Sequence, residues 1–136
     1  MKHIRTLLIA AMTGLLVSCV GPRHLGIENL QGAWRLTGWS DVKRLPSDQI
    51  TLVIDDTGVH GNSTCNAYSS TLTVDSRTFL VGTIGTTFVL CVGEKADAEA
   101  TYLRLLSGVT IWSENDKDGS LVLSSGRNEL LRFLRL

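Results

Sequence analysis

Ile50-Thr51-Leu52-Val53-Ile54-Asp55-Asp56-Thr57-Gly58-Val59-His60-Gly61-Asn62 is the stretch whose reading decides the fold. Ile50, Leu52 and Ile54 alternate with Thr51, Val53 and Asp55, so an extended segment presents one aliphatic face, the period of a half-buried strand. Asp55-Asp56-Thr57-Gly58 then supplies turn chemistry, because aspartate bonds its own backbone and glycine accepts φ values closed to other residues. Residues 59–62 return as the second strand of a hairpin.

The same period recurs on both sides. Residues 33–39 (AWRLTGW) make an aromatic-rich strand upstream. Downstream, the spacing predicts strands over 70–74, 78–81 and 86–91 (TTFVLC), and then over 109–113, 121–124 and 130–134, with turns over 115–119 and 125–128. One interval departs from the pattern. Residues 94–107 (EKADAEATYLRLLS) hold a single β-branched residue, Thr101, place Ala98, Tyr102, Leu105 and Leu106 on one helical face, and meet Gly108 as a stop. Glu94, Asp97 and Glu99 near the start suit the positive end of the helix dipole. The expected class is α+β, mainly β: a curved antiparallel sheet or partly open β-barrel with one helix packed against it.

Composition agrees with one small domain and excludes several classes. The chain has 136 residues, 43% of them hydrophobic and 19% charged, which argues against both a two-domain enzyme and disorder. Its 13 basic and 13 acidic side chains cancel, removing the usual reason to expect a nucleic-acid partner. Thirteen glycines against two prolines fit many tight turns.

The beginning of the chain reads as an export signal. Lys2, His3 and Arg5 form a charged region, and residues 6–17 (TLLIAAMTGLLV) are an apolar stretch of 12, whereas spanning a hydrocarbon core takes about 20 helical residues. Leu16-Val17-Ser18-Cys19 resembles the bacterial lipobox, which makes residues 1–18 a lipoprotein signal peptide and Cys19 the lipidated first residue; an ordinary secretory signal with an incidental cysteine is the alternative. Cleavage leaves 11 basic against 13 acidic residues, a net charge of −2. Several acyl chains on one cysteine anchor a protein without a transmembrane helix. Val20 is not the aspartate that resembles an inner-membrane retention signal, so the periplasmic face of the outer membrane is the expected location. Residues 19–30 read as a lipidated tether and 31–136 as the domain.

Export also changes the meaning of Cys65 and Cys91. In an oxidising envelope with Cys19 spent on lipid, a single structural disulfide between them is the expectation, the alternatives being two free buried thiols, a redox pair or half a metal site. The last two lack CxxC spacing or a cluster of histidine and cysteine.

The residues also resemble a family. Gly61-Asn62-Ser63-Thr64-Cys65-Asn66-Ala67-Tyr68 is similar to the glycine-rich "GCN-x-Y" segment of the META domain, the HslJ-like family of heat-shock lipoproteins. Thr86-Thr87-Phe88-Val89-Leu90-Cys91 resembles its second motif, and Leu30-Gln31-Gly32-Ala33-Trp34-Arg35-Leu36 its opening Leu-x-Gly-x-Trp-x-Leu. Residues 99–112 followed by Leu121-Val122-Leu123 resemble its helix, strand and terminal hairpin, so the likeness covers about residues 30–134. Thr64 stands where the pattern has glycine before the cysteine, and Ser69-Ser70 replaces a glycine after the tyrosine. The resemblance implies a compact, partly open antiparallel barrel with one helix, similar in outline to lipid-binding pilot lipoproteins of secretion systems. It implies links to envelope stress, antibiotic tolerance and, in some lineages, virulence or secretion, and it brings no enzymatic activity or cofactor.

Other constellations have plainer readings. Residues 61–65 begin like a GxSxG elbow but end in cysteine with no partnered histidine in view. Residues 114–119 echo a calcium loop whose twelfth position would be Ser125 in place of glutamate, and a hairpin turn explains them. His24 in the tether and His60 on a short strand make no zinc site, and Asn62-Ser63-Thr64 is a coincidental glycosylation match. Trp34, Trp39 and Trp112 either line a ligand mouth or pack the core.

Two functional classes remain for a monomer that is not an enzyme. One is a stress-related envelope lipoprotein that binds a protein or has a structural role; the other is a periplasmic carrier of a lipid or other small apolar ligand. Bulky side chains filling the interior favour the first, and an apolar cavity of about 300 Å³ or more favours the second. Trp39, Asn66, Tyr68 and Trp112 are the candidate binding residues, with turn capping the competing role of Asn66.

Overall fold

The computed structural model describes residues 27–136 apart from Val42, Lys43 and Ser47. The signal peptide and Cys19 lie outside the described residues, as does the tether up to residue 26. The last part of the tether segment belongs to the domain. Ile27–Asn29 forms a single 3-10 turn, and Leu30 is buried, its carbonyl accepting the Trp34 indole N–H at 2.9 Å.

Ten strands and one helix follow among the described residues. The strands are β1 (Gly32–Trp39), β2 (Thr51–Asp55), β3 (Gly58–Asn62), β4 (Ala67–Ser70), β5 (Leu72–Val74), β6 (Phe79–Val81) and β7 (Gly85–Thr86), then, after helix α1 (Glu94–Ser107), β8 (Ile111–Glu114), β9 (Leu121–Ser125) and β10 (Asn128–Arg135). Eight of them form one antiparallel sheet in the order β7-β4-β3-β2-β1-β10-β9-β8, and β5 and β6 form a separate ribbon. The sheet is not closed into a barrel. The ribbon lies against its β8 edge instead, where Phe79 N–H donates to the Thr110 carbonyl at 3.0 Å and Trp112 N–H to that of Arg77 at 2.9 Å.

The hairpin of β2 and β3 is the one its sequence predicts, with Asp55 opposite Gly58. Asp55 accepts the Thr57 hydroxyl and N–H and the His60 imidazole, and these bonds, led by the Thr57 hydroxyl, lower its pKa to about 2. Helix α1 also has the predicted bounds: Gly108 ends it by donating its N–H to the Leu105 carbonyl. Ala98, Thr101, Tyr102, Leu105 and Leu106 are its buried face, the spacing of one stripe on a helix. Tyr102 stands edge-on to Phe133 of β10 and Tyr68 of β4, with ring centres 6.5 and 5.5 Å away. Large side chains therefore occupy the space between helix and sheet.

Two strand expectations need correction. The run 70–74 is not one strand: it breaks at Thr71, β4 staying in the main sheet while β5 leaves for the ribbon. Gly58 makes room for this crossing, since a Cβ there would collide with the Ser70 carbonyl oxygen. The run 86–91 is not a strand beyond Thr86. Its composition favours extended pairing, but Asn66 and Cys65 take its backbone and its cysteine in other ways.

Candidate functional site

The turn between β3 and β4 carries the most distinctive residues of the chain and is built almost wholly from side-chain hydrogen bonds. Ser63 N–H closes it by donating to the Asn66 carbonyl at 2.9 Å, and the Asn62 side chain accepts the Thr64 N–H at 2.8 Å. Ser63 and Asn66 are buried polar residues, which obliges their donors to find partners. Glu99, in the second turn of α1, supplies them. Its carboxylate accepts the Ser63 hydroxyl at 2.7 Å, the Asn66 N–H at 2.8 Å and the Asn66 side-chain amide at 2.8 Å. Partial burial pushes the Glu99 pKa up, yet the bonds from Ser63 and Asn66 outweigh it, and the net shift is downward.

Asn66 then passes the order outward. Its side-chain oxygen accepts the Thr87 hydroxyl and the Val89 N–H, both at 2.8 Å, while its amide nitrogen also reaches the Val89 carbonyl at 3.3 Å. Thr87 N–H donates to the Ala67 carbonyl at 3.0 Å. Cys65 and Cys91 stand at disulfide distance, with Cα atoms 6.0 Å apart. One asparagine and one disulfide thus fasten segment 87–91 to the end of β4. Phe88, Val89, Leu90 and Val92 nevertheless face solvent. Between this segment and Ala96, Ala100 and Leu103 of the helix runs a shallow groove of about 490 Å³.

Tyr68, two residues after Asn66, points inward. Its hydroxyl lies 2.6 Å from that of Tyr102 and donates to the Thr51 carbonyl at 2.9 Å. Gly61 permits that approach, because a Cβ there would collide with the same carbonyl oxygen. Burial raises the pKa of both tyrosines, so both are neutral hydrogen-bonding groups at any physiological pH.

The META domain pattern matches residues 28–136. The chain belongs to the META domain family. Among curated proteins none matches it. A solved structure described as the NMR structure of the protein from Burkholderia xenovorans is similar, with a TM-score of 0.67 and 20% identity over 99% of this chain and 97% of that one; at this identity the likeness concerns the fold.

In this META domain the two motif stretches read from sequence, 61–68 and 86–91, meet in one place, but the four candidate binding residues do not form one face. Asn66 is the hub of the turn. Tyr68 and Trp112 are core residues, 3% and 5% exposed, and the Trp112 indole N–H donates to the Asp75 carbonyl at 2.8 Å. Core packing, the alternative carried by sequence, describes both. Trp39 is half-buried and lines a separate open cleft of about 1140 Å³ with Leu45, Pro46, Asp48, Lys95 and Ala98. Glu99 is the residue that sequence reasoning misses, because the helix dipole already accounts for it.

The remaining motifs are turns and surface pairs. Asn115 and Asp118 accept N–H groups of Lys117 and Ser120 within their own hairpin, which explains those residue types without a cation. Among the described residues no group of three or more His, Cys, Asp or Glu is arranged to hold a metal ion, and no helix is long and apolar enough to cross a membrane.

The departure at Thr64 has a measurable cost. Thr64 has φ 103°, a region that β-branched residues avoid, which accounts for glycine in the resembling pattern. Its hydroxyl donates to the Lys95 carbonyl at 2.9 Å in partial compensation. Relief of about 1–3 kcal/mol of strain exceeds one exposed hydrogen bond, so Thr64→Gly should raise stability by about 1 kcal/mol, read from urea unfolding. A destabilised variant would mean that the Lys95 bond dominates.

Proposed function

We propose that this META-domain chain is a non-catalytic lipoprotein of the bacterial envelope, anchored through an acylated Cys19 at the periplasmic face of the outer membrane, where it serves a binding or structural role under envelope stress. The observation that carries the reading is Leu16-Val17-Ser18-Cys19 closing a 12-residue apolar run. The Cys65–Cys91 pair supports it, since disulfides persist in oxidising compartments. Binding is favoured over catalysis because the hydroxyl of buried Ser63 is committed to Glu99 and the Asn66 carbonyl, which leaves the GxSxG-like stretch without a free nucleophile. The filled space around Tyr102 favours a surface role over a ligand held between helix and sheet.

Cys19→Ala is expected to leave an unprocessed precursor, and mass spectrometry of the natural chain should find acyl groups on Cys19. Normal maturation and unchanged membrane fractionation of the variant would overturn the anchor. A strain lacking the protein should lose survival under heat or under an antibiotic that must cross the outer membrane; full survival under each would overturn the stress role.

A second reading has its own observation. The open cleft beside Trp39 offers the apolar side chains of Trp39, Leu45 and Pro46 together with charged Arg44, Asp48 and Lys95. Native mass spectrometry of protein purified from its own envelope should then find a co-purified apolar molecule that Trp39→Ala loses.

A further inference from the structure

We propose that segment 88–92 is a membrane-inserting tip: a clamped apolar loop that enters the interfacial layer of the bilayer to which the chain is anchored. The proposal rests on the lipid-anchor reading and adds a second point of contact to it. Phe88, Val89, Leu90 and Val92 are 98%, 59%, 90% and 75% exposed. At such values the side chains scarcely cover one another. They project singly, unlike the flat, mutually packed patch that suits a protein partner. Arg77 and Glu94 bound a run of sixteen residues, 78–93, without one charged side chain. Nothing in that run would have to be neutralised in lipid.

The segment is also held in place at three points. Here the Val89 N–H and carbonyl are both taken by the Asn66 side chain, and the Thr87 N–H by the Ala67 carbonyl. Asn66 is itself held by Glu99, and Cys91 by Cys65. Fixing Thr87, Val89 and Cys91 reduces the conformational entropy that the segment has left to lose on insertion.

The geometry of the anchor permits it. Gly32 pairs with Ile54 and Asp55 with Gly58 at one end of the strands, while Asn62 pairs with Ala67 and Tyr68 with Thr86 at the other, so the loop lies at the end opposite the entry of the chain. From Cys19 to Ile27 is a reach of at most about 26–29 Å, against about 17 Å for a five-residue strand. The tether is long enough to let the far end of the domain meet the membrane.

The test uses the processed chain in vesicles of phosphatidylethanolamine and phosphatidylglycerol, with F88W as the probe and K117W as a control in the β8–β9 turn, at the end where the chain enters. Phe88 is free of core contacts, so the probe leaves the fold intact. Lipids brominated in the acyl chain should quench the added emission at position 88 and its maximum should shift to the blue, with K117W unaffected. Adding L90D to F88W should abolish the quenching while the chain stays on the vesicles. Because the segment is uncharged, the quenching should persist in high salt and in purely zwitterionic vesicles. Retention of the F88W chain on vesicles with an unquenched, water-exposed indole at position 88 would overturn the tip, leave the anchor reading standing and assign the apolar side chains to a protein partner. Quenching at position 88 of a chain found without acyl groups would support the tip and defeat the anchor, so the two failures are distinct.

Discussion

Replacing Cys65 and Cys91 together by alanine is expected to lower the unfolding free energy by about 3–4 kcal/mol, the loop-closure value for a bridge between cysteines 26 apart in sequence. For a domain of this size that is a fall in Tm of about 10–20 °C. The comparison must use protein kept oxidised, with denatured and unreduced wild type taking up no thiol reagent at either position. Full labelling at both would remove the bridge. A second readout separates the bridge from the asparagine clamp: in the double variant the Val89 amide should still exchange slowly with solvent, because its acceptor is the Asn66 side chain.

Glu99→Ala should cost about 2–4 kcal/mol, because it strips acceptors from the Asn66 N–H and side-chain amide, both buried, while the Ser63 hydroxyl keeps the Asn66 carbonyl. Glu99→Gln should recover part of the loss, since its amide oxygen accepts but its amide nitrogen faces donors. The effect depends on pH with a definite sign. A carboxylate whose folded pKa lies below its ordinary value of 4.5 contributes stability above that value, and the contribution disappears as pH falls through the folded pKa. The gap between wild type and Glu99→Ala in urea unfolding should therefore be full at neutral pH and shrink in acid, as pH falls below 4.5 and through the lowered folded pKa. A gap that does not change with pH would show that the methylenes of Glu99, rather than its charge, hold the turn.

How much of this was legible in the sequence depends on the range over which each residue acts. The β2–β3 hairpin and helix α1 are determined by neighbours: alternation at Ile50, Leu52 and Ile54, an aspartate bonding its own turn, a glycine ending a helix. Segment 86–91 has the β-branched and aromatic residues of a strand, and nothing local marks it otherwise. Its conformation is imposed by Asn66, 23 residues before Val89, and by Cys65. Glu99 is hidden for the same reason. An acidic residue early in a helix has a sufficient local explanation in the dipole, and only the packing of α1 under the β3–β4 turn reveals two buried polar residues that need a carboxylate. Tyr68 and Trp112 mislead because an amphipathic aromatic looks alike in sequence whether its polar atom meets a ligand or, as here, a carbonyl of Thr51 or Asp75.

The place of β10, between β1 and β9, has a consequence for how the protein comes into being. β10, which follows all the other described strands in sequence, lies inside the sheet, and Leu136 N–H donates to the Ala33 carbonyl while Arg135 lies across Trp34, 4.2 Å from its ring centre. A nascent chain emerging from its N-terminus holds β1 with one edge unpaired until β10 arrives. Local hairpins can form on the way, but without β10 no strand pairs β1 with β9, and the two parts of the main sheet meet through the β5–β6 ribbon at the β8 edge. Such long-range pairing is slow and leaves strand edges open to other chains meanwhile. Loss of the eight residues of β10 would therefore open the facing edges of β1 and β9 inside the sheet, where loss of β7 or β8 would only trim a rim.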